Sequence, residues 1–209
     1  MNSDSPIVFV VDDDYRVREA LSSLISSAGL RVAVFSSAAE FLESEKADAP
    51  ACIVLDLQLP GTSGLELQQQ LLTGDAPPII FITGHGDIPS SVRAMKAGAI
   101  EFLSKPFGEP ELLQAIAGAI ALDRTARQKR SQLAELQMHY DLLTPREREV
   151  LPFVVAGFAN KVTAADLGTS EITIGVHRGQ IMRKMGARSL AELVRMADTL
   201  GITRIARLA

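Results

Sequence analysis

Four short apolar runs in the first half of the chain each lead into a residue able to handle a phosphoryl group. Ile7-Val8-Phe9-Val10-Val11 runs into Asp12-Asp13-Asp14, and Cys52-Ile53-Val54-Leu55 runs into Asp56. Ile79-Ile80-Phe81-Ile82 ends at Thr83, and Ala99-Ile100-Glu101-Phe102-Leu103 stops just before Lys105-Pro106. Short β-branched runs bounded by polar residues or by Gly and Pro read as buried strands of a parallel sheet. Ligands of an open parallel α/β sheet bind beyond the carboxyl ends of its strands. One sheet would therefore gather three carboxylates, a hydroxyl and an ammonium along a single edge.

The segments between these runs have helical periodicity. Val17, Ala20, Leu21, Leu24, Ile25 and Ala28 share one helical face that Gly29 closes. A strand over residues 31–35 and a short helix over 38–46 follow. Helices are expected over 65–72, over 88–97 and from about 109, the last carrying Leu112, Leu113, Ile116 and Ile120. Five strands alternating with five helices require right-handed crossovers and a parallel sheet.

From about residue 122 to 140 the chain turns polar and helix-favouring, with Leu133, Leu136 and Tyr140 as a narrow apolar seam. Such a connector either pairs with a second copy or stands as a solvated spacer. Beyond it everything reads as helical. Thr144-Pro145-Arg146-Glu147 has capping-box spacing with Pro at the first helical position, and Ser189 to Glu192 repeats the box. Between them, residues 160–167 and 171–185 read as two helices joined at Gly168-Thr169, with Ser170 capping the second. That is a helix-turn-helix inside a four-helix unit. The chain divides into residues 1–123, a connector over 124–141, and residues 142–209.

Charge follows the same division. Residues 1–124 hold 17 Asp and Glu against 8 Lys and Arg, a balance of −9, whereas residues 125–209 hold 8 against 13, a balance of +5. A basic third inside a chain of net charge −4 points to nucleic acid as that part's partner. No apolar run approaches the roughly 20 residues of a membrane span, and Met1-Asn2-Ser3-Asp4 lacks the basic and apolar regions of a secretory signal. Cys52, the one cysteine, lies in an expected strand and reads as an inert buried thiol. A cytoplasmic location with no membrane contact is the expectation.

The strand-end residues suit one chemistry. Magnesium is held by one or two carboxylates together with phosphate oxygens and water, and crowded carboxylates repel one another unless a cation joins them. Asp12, Asp13 and Asp56 form such a set. Asp56 can then attack a phosphoryl group and become an acyl phosphate. Lys105 and the metal would neutralise the equatorial oxygens, and Thr83 would donate a hydrogen bond to one of them. Taken singly, each residue has a plainer use: Asp14 as an exposed helix cap, Thr83 as a strand residue, Lys105 as a solvated charge, Phe102 as a core aromatic. Their joint placement at one sheet edge carries the functional reading.

The arrangement Val10-Val11-Asp12-Asp13, Leu55-Asp56-Leu57-Gln58-Leu59-Pro60-Gly61, Ile82-Thr83-Gly84-His85-Gly86-Asp87 and Ser104-Lys105-Pro106-Phe107 resembles the receiver domain of two-component response regulators, over residues 5–122. The resemblance implies a flavodoxin-like (βα)5 fold. It implies that Asp56 takes phosphate from the phosphohistidine of a sensor histidine kinase, with Mg²⁺ on Asp12 or Asp13, on Asp56 and on the main-chain carbonyl of Gln58. It also implies a switch residue at Phe102, whose ring turns inward as Thr83 closes on the phosphate, and a cis bond at Lys105-Pro106. Apart from its own phosphorylation and slow dephosphorylation, such a protein is not an enzyme.

Asn160-Lys161, Ala165-Asp166-Leu167, Ser170, Ile172-Thr173-Ile174-Gly175-Val176-His177-Arg178 and Met182-Arg183-Lys184-Met185 resemble the LuxR/NarL-type output domain. The whole chain is thus similar to FixJ-like response regulators. Such domains insert the second helix of the motif in the major groove as dimers. Lys161, Arg178, Arg183, Lys184 and Arg188 are expected to meet phosphates, and Thr173, His177 and Gln180 to meet base edges. Gly175 and Gly179 depart from the pattern by removing side chains from the reading helix. Pro152 removes a backbone donor from the first helix of the unit and is expected to kink it. Thr163 and Thr169 stand where relatives carry apolar residues. The resemblance further implies promoter DNA and RNA polymerase as partners. Phosphorylation would promote a homodimer through residues 88–97 and the adjoining strand, with Val92, Lys96 and Glu101 as contacts. A haloacid-dehalogenase-like phosphatase would also form an aspartyl phosphate, but its Asp-x-Asp-x-Thr/Val motif fails at Arg16. A constitutive DNA-binding module would have no use for the full pocket set.

Overall fold

The three longest apolar runs become the three inner strands of one sheet. β1 (Ile7–Val11), β3 (Ala51–Asp56) and β4 (Ile79–Thr83) are buried at every position. β2 (Arg31–Phe35) and β5 (Glu101–Ser104) flank them and are only partly covered. The order is β2-β1-β3-β4-β5 and every pairing is parallel. The computed structural model describes residues 5–72, 75–84 and 88–202, and the chain falls into two units, Met1–Arg127 and Gln128–Ala209.

Helices α1 (Tyr15–Ser27), α2 (Ala38–Glu43), α3 (Gly64–Leu71), α4 (Ile88–Lys96) and α5 (Glu109–Asp141) connect and follow the strands. Successive strand residues point to opposite faces, and the sheet accordingly has two cores. Val8, Val10, Val54 and Ile82 pack with Leu21, Ile25, Leu112 and Ile116 on one face. Phe9, Val11, Leu55 and Phe81 pack with Phe35, Phe41, Leu67 and Ala94 on the other. Each fully buried Val, Leu, Ile or Phe among them contributes about 1.5–3 kcal/mol.

The run at residues 99–103 departs from its expectation as a buried strand. Ala99 belongs to the exit of α4, its N–H donating to the Ala94 carbonyl, and sheet pairing begins where Ile100 N donates to Ile79 O. β5 extends to Ser104, with Glu101 and Ser104 exposed on opposite faces, because it is an edge strand with no neighbour on its outer side.

The connector has no helix start of its own. α5 is one helix of 33 residues, and its course over the sheet is fixed at the strands' amino ends. There buried Asp123 accepts from Ala51 N at 2.9 Å, and Arg127 bridges Asp123 and Asp48. Tyr140 packs on the core of its own second unit, with Leu143 buried there. Leu133 remains exposed.

That second unit contains α6 (Pro145–Val155), α7 (Asn160–Asp166), α8 (Glu171–Met185) and α9 (Leu190–Thr199) around Val150, Leu151, Ile174, Ile181, Met185 and Leu193. The Thr144–Glu147 capping box forms in both directions. The second box forms by half: Ser189 accepts from Glu192 N, but the Glu192 carboxylate accepts from Arg188 N. Pro152 lies inside α6 without ending it, since Ala156 N still donates to Pro152 O. Thr163 is fully buried, and its hydroxyl returns to the Ala159 carbonyl of its own helix. A threonine thereby fills a slot where the resemblance implies an apolar residue.

Candidate phosphoacceptor site and nucleic-acid interface

Strand register assembles the site. Val11 pairs with Leu55, so the next residues, Asp12 and Asp56, emerge side by side. Asp56 pairs with Ile82, which brings Thr83 to the same edge, and Thr83 pairs with Ser104, one residue before Lys105. Carboxylate oxygens of Asp12, Asp13 and Asp56 lie within 4.8 Å of one another. Asp12 and Asp56 are buried and Asp13 is exposed. Asp14 caps α1, accepting from Arg16 N. The Lys105-Pro106 bond is cis.

Lys105 is the cation inside this cluster. Its Nζ lies 2.7 Å from Asp12 Oδ2 and 3.5 Å from Asp56 Oδ2. Asp12 Oδ1 also accepts from Asp14 N, and Arg18 donates to the Asp12 main-chain carbonyl. Burial pushes the Asp56 carboxyl above its ordinary range; Lys105 works against this shift, and the negative charge of Asp12 adds to it. A carboxylate group left short of positive charge, with only oxygen donors, fits a hard divalent cation. Cys52, by contrast, is inert: burial pushes its thiol up to about 12.

Two glycine and aromatic features complete the site. A Cβ on Gly64 would stand 2.4 Å from the Asp56 carbonyl oxygen and 3.1 Å from Leu57 Cα, so α3 starts in van der Waals contact with the backbone of Asp56 itself. Spacing gave no sign of this. Phe102 is half-buried with its ring 6.3 Å from that of Phe81. Gln58 is exposed, and its N–H donates to Asp56 Oδ1 at 3.4 Å. Val92, Lys96 and Glu101 are exposed on α4 and β5. His85, Gly86 and Asp87 of the sequence motif lie outside the described residues.

In the second unit, α7 turns into α8 at Gly168, whose φ of +61° suits glycine alone without strain. Ser170 then caps α8 by accepting from Thr173 N. Lys161, Arg183 and Arg188 are exposed; Thr173, His177 and Gln180 are half-buried. Two expected phosphate ligands are engaged within the fold. Arg178 donates to the Phe158 carbonyl at 3.0 Å, and Lys184 pairs with Glu147 at 2.6 Å. Neither Gly175 nor Gly179 is imposed by packing, since added Cβ atoms would meet nothing closer than 3.5 Å. Sequence reading missed Ile172 and Val176, four residues apart on α8 and 82% and 57% exposed. Their signal was the apolar type at positions out of phase with buried Ile174 and Ile181.

Comparisons with known proteins match both parts of the chain. Residues 8–117 match the response regulator receiver domain, and residues 141–197 match the luxR family of bacterial regulatory proteins. Nodulation protein W of Bradyrhizobium diazoefficiens is 50% identical, covering 96% of this chain and 89% of its own. Transcriptional regulatory protein FixJ of Azorhizobium caulinodans is 45% identical over 93% of each chain. The solved structure of response regulator StyR is 49% identical, covers 93% of this chain and 98% of its own, and superposes with a TM-score of 0.84.

Proposed function

Because this chain belongs to the response regulators of two-component systems, with a receiver domain followed by a LuxR-type DNA-binding domain, we propose that phosphorylation of Asp56 switches its hold on promoter DNA. The family is one of transcription regulators, partnered by a histidine kinase and by DNA, rather than an enzyme class. The observation that carries the reading is the convergence of Asp12, Asp13, Asp56 and Lys105 on one edge of the sheet.

The Asp56 carboxylate attacks the phosphorus of a kinase phosphohistidine; a P–O bond forms, the P–N bond breaks, and the electron pair leaves with the imidazole nitrogen. Burial favours the neutral acid, and Lys105 opposes it by favouring the ionised nucleophile. Lys105 is placed to meet the equatorial oxygens, where most of the catalytic task of phosphoryl transfer lies. Thr83, buried at the adjacent strand end, supplies a hydroxyl to the same group. Asp12, Asp13, Asp56 and the Gln58 main-chain carbonyl would hold Mg²⁺, which supplies charge neutralisation at the phosphoryl group when bound.

Phosphorylation then turns the Phe102 ring inward and presents α4 and β5, with Val92, Lys96 and Glu101, to a second copy. Dimerisation makes binding of the second half-site intramolecular and so raises affinity for DNA. On the DNA, Lys161, Arg183 and Arg188 meet phosphates, while Thr173, His177 and Gln180 read bases. Ile172 and Val176 offer apolar contact to thymine methyl groups. RNA polymerase and the cytoplasm are the setting for such a regulator. The test is incubation of the full chain with acetyl phosphate and Mg²⁺. Wild type acquires acid-labile phosphate and shifts to dimer, and Asp56→Asn does neither. Equal phosphate on Asp56→Asn refutes the assignment.

A further inference from the structure

Helix α3 turns Gly64, Leu67 and Gln68 inward. Gln68 therefore fills a stripe position that helical spacing reserves for an apolar residue. It is 2% exposed. Its Nε2 donates to the Ala94 carbonyl of α4 at 3.0 Å. Its Oε1 is buried and has no hydrogen-bond partner among the described residues. The Ala94 carbonyl does not depend on this bond, because Ala99 N also donates to it. Two solvent-open clefts flank the seam between the two helices. A cleft of about 550 Å³ lies between Glu66 of α3 and Ser90 and Arg93 of α4, a second of about 230 Å³ reaches Leu71 and Gly98, and Gln68 lines both.

A buried acceptor left unmatched is penalised by more than a neutral hydrogen bond returns. An amide matched at one end only, beside open volume, therefore holds α4 in a place that is occupied but strained. We propose that Gln68 is a positioning residue that keeps α4 metastable, so that a small change at Asp56 is enough to displace the dimerisation face. α3 is suited to carry that change, because it starts against the Asp56 carbonyl at Gly64 and ends its buried stripe on α4. The coupling rests on the reading of Asp56 and α4 given above. The metastability of α4 stands apart from it.

Two substitutions in the full chain have opposite expected signs. Gln68→Leu removes the unmatched oxygen along with a dispensable bond. Exchange of the α4 amides, relative to those of β1 and β3, slows by about fivefold, and the acetyl phosphate concentration that gives half-maximal dimer rises. Gln68→Glu buries a carboxylate with no donor to offer Ala94; α4 exchange quickens and dimer forms at lower phosphodonor. Faster α4 exchange in Gln68→Leu overturns the proposal, as does a change spread equally over β1 and β3. An unmoved phosphodonor midpoint beside slowed exchange overturns the coupling. Should wild type itself fail to dimerise with phosphodonor, the assigned function fails, and the exchange comparison alone still upholds or overturns the role of Gln68.

Discussion

Gly64→Ala tests whether the start of α3 fixes the phosphoacceptor. The added methyl would lie 2.4 Å from the Asp56 carbonyl oxygen and 3.0 Å from Phe81 Cε1. Ordinary contact between such atoms begins near about 3.5 Å, so roughly 1 Å of movement is required. The obstructing atom is main chain in a buried central strand, and no flexible side chain can yield in its place. Overpacking of this kind destabilises by about 1–3 kcal/mol. Misplacing a reacting group by about 1 Å can cost on the order of 100-fold in rate. Gly61→Ala is the control: φ there is +85°, but the space is open. It strains the backbone by on the order of 1–2 kcal/mol while leaving Asp56 in place. Denaturant unfolding and the initial rate of phosphorylation by acetyl phosphate would be measured on both variants. Gly64→Ala should lose stability and about two orders of magnitude in rate, and Gly61→Ala stability alone. A wild-type phosphorylation rate in Gly64→Ala, or an equal rate loss in Gly61→Ala, refutes the argument.

Two further predictions concern charge. Lys105→Met leaves fully buried Asp12 without its cation; in chelator the protein should lose about 3 kcal/mol by denaturant unfolding, and excess Mg²⁺ should restore part of it. An unchanged stability in chelator would show that Lys105 does not hold the cluster together. Glu147 has its carboxyl held below the ordinary range: burial alone pushes it up, but the Lys184 ammonium and the Thr144 N–H outweigh burial. A depressed carboxyl contributes stability that is present above its unfolded value of about 4.3 and is lost as pH falls through the folded value. Acid unfolding of wild type should therefore steepen below about pH 4.3, and Glu147→Gln should flatten that limb; identical acid limbs would contradict the pairing.

The site was legible in the sequence because its parts sit at strand ends. A parallel sheet converts four runs of similar length into four termini on one edge, so register alone brings Asp12, Asp56, Thr83 and Lys105 together. Nothing finer than a side chain's reach was needed. What spacing could not supply was anything set by edges or by contact at atomic distance. β5 carries an apolar run like the others, yet both of its faces are only partly covered because no strand lies beyond it. Gly64 falls just before the helix expected over 65–72, and only the approach of the Asp56 carbonyl reveals its use. Gln68 and Asp123 sit at apolar stripe positions of their helices, and their partners, Ala94 O and Ala51 N, are main-chain atoms distant in sequence. A polar residue in an apolar phase was the available signal in both cases.

In the second unit two of the basic residues of α8 are already engaged within their own domain. Lys184 and Arg178 lie on α8 among other cations, and by type they are as fit for phosphate as Arg183. Their different use follows from α6 and α7. Glu147 closes the capping box with Thr144 and is buried there, and a buried carboxylate needs a cation. Lys184 is the residue of α8 that reaches it. The Phe158 carbonyl, just past the end of α6, likewise draws Arg178 inward. Both cations tie α8 to neighbouring segments of its own domain, and so fix the angle at which the exposed Ile172, Val176 and Arg183 are displayed. Removing either should therefore disturb recognition through the placement of the helix rather than through one lost phosphate contact.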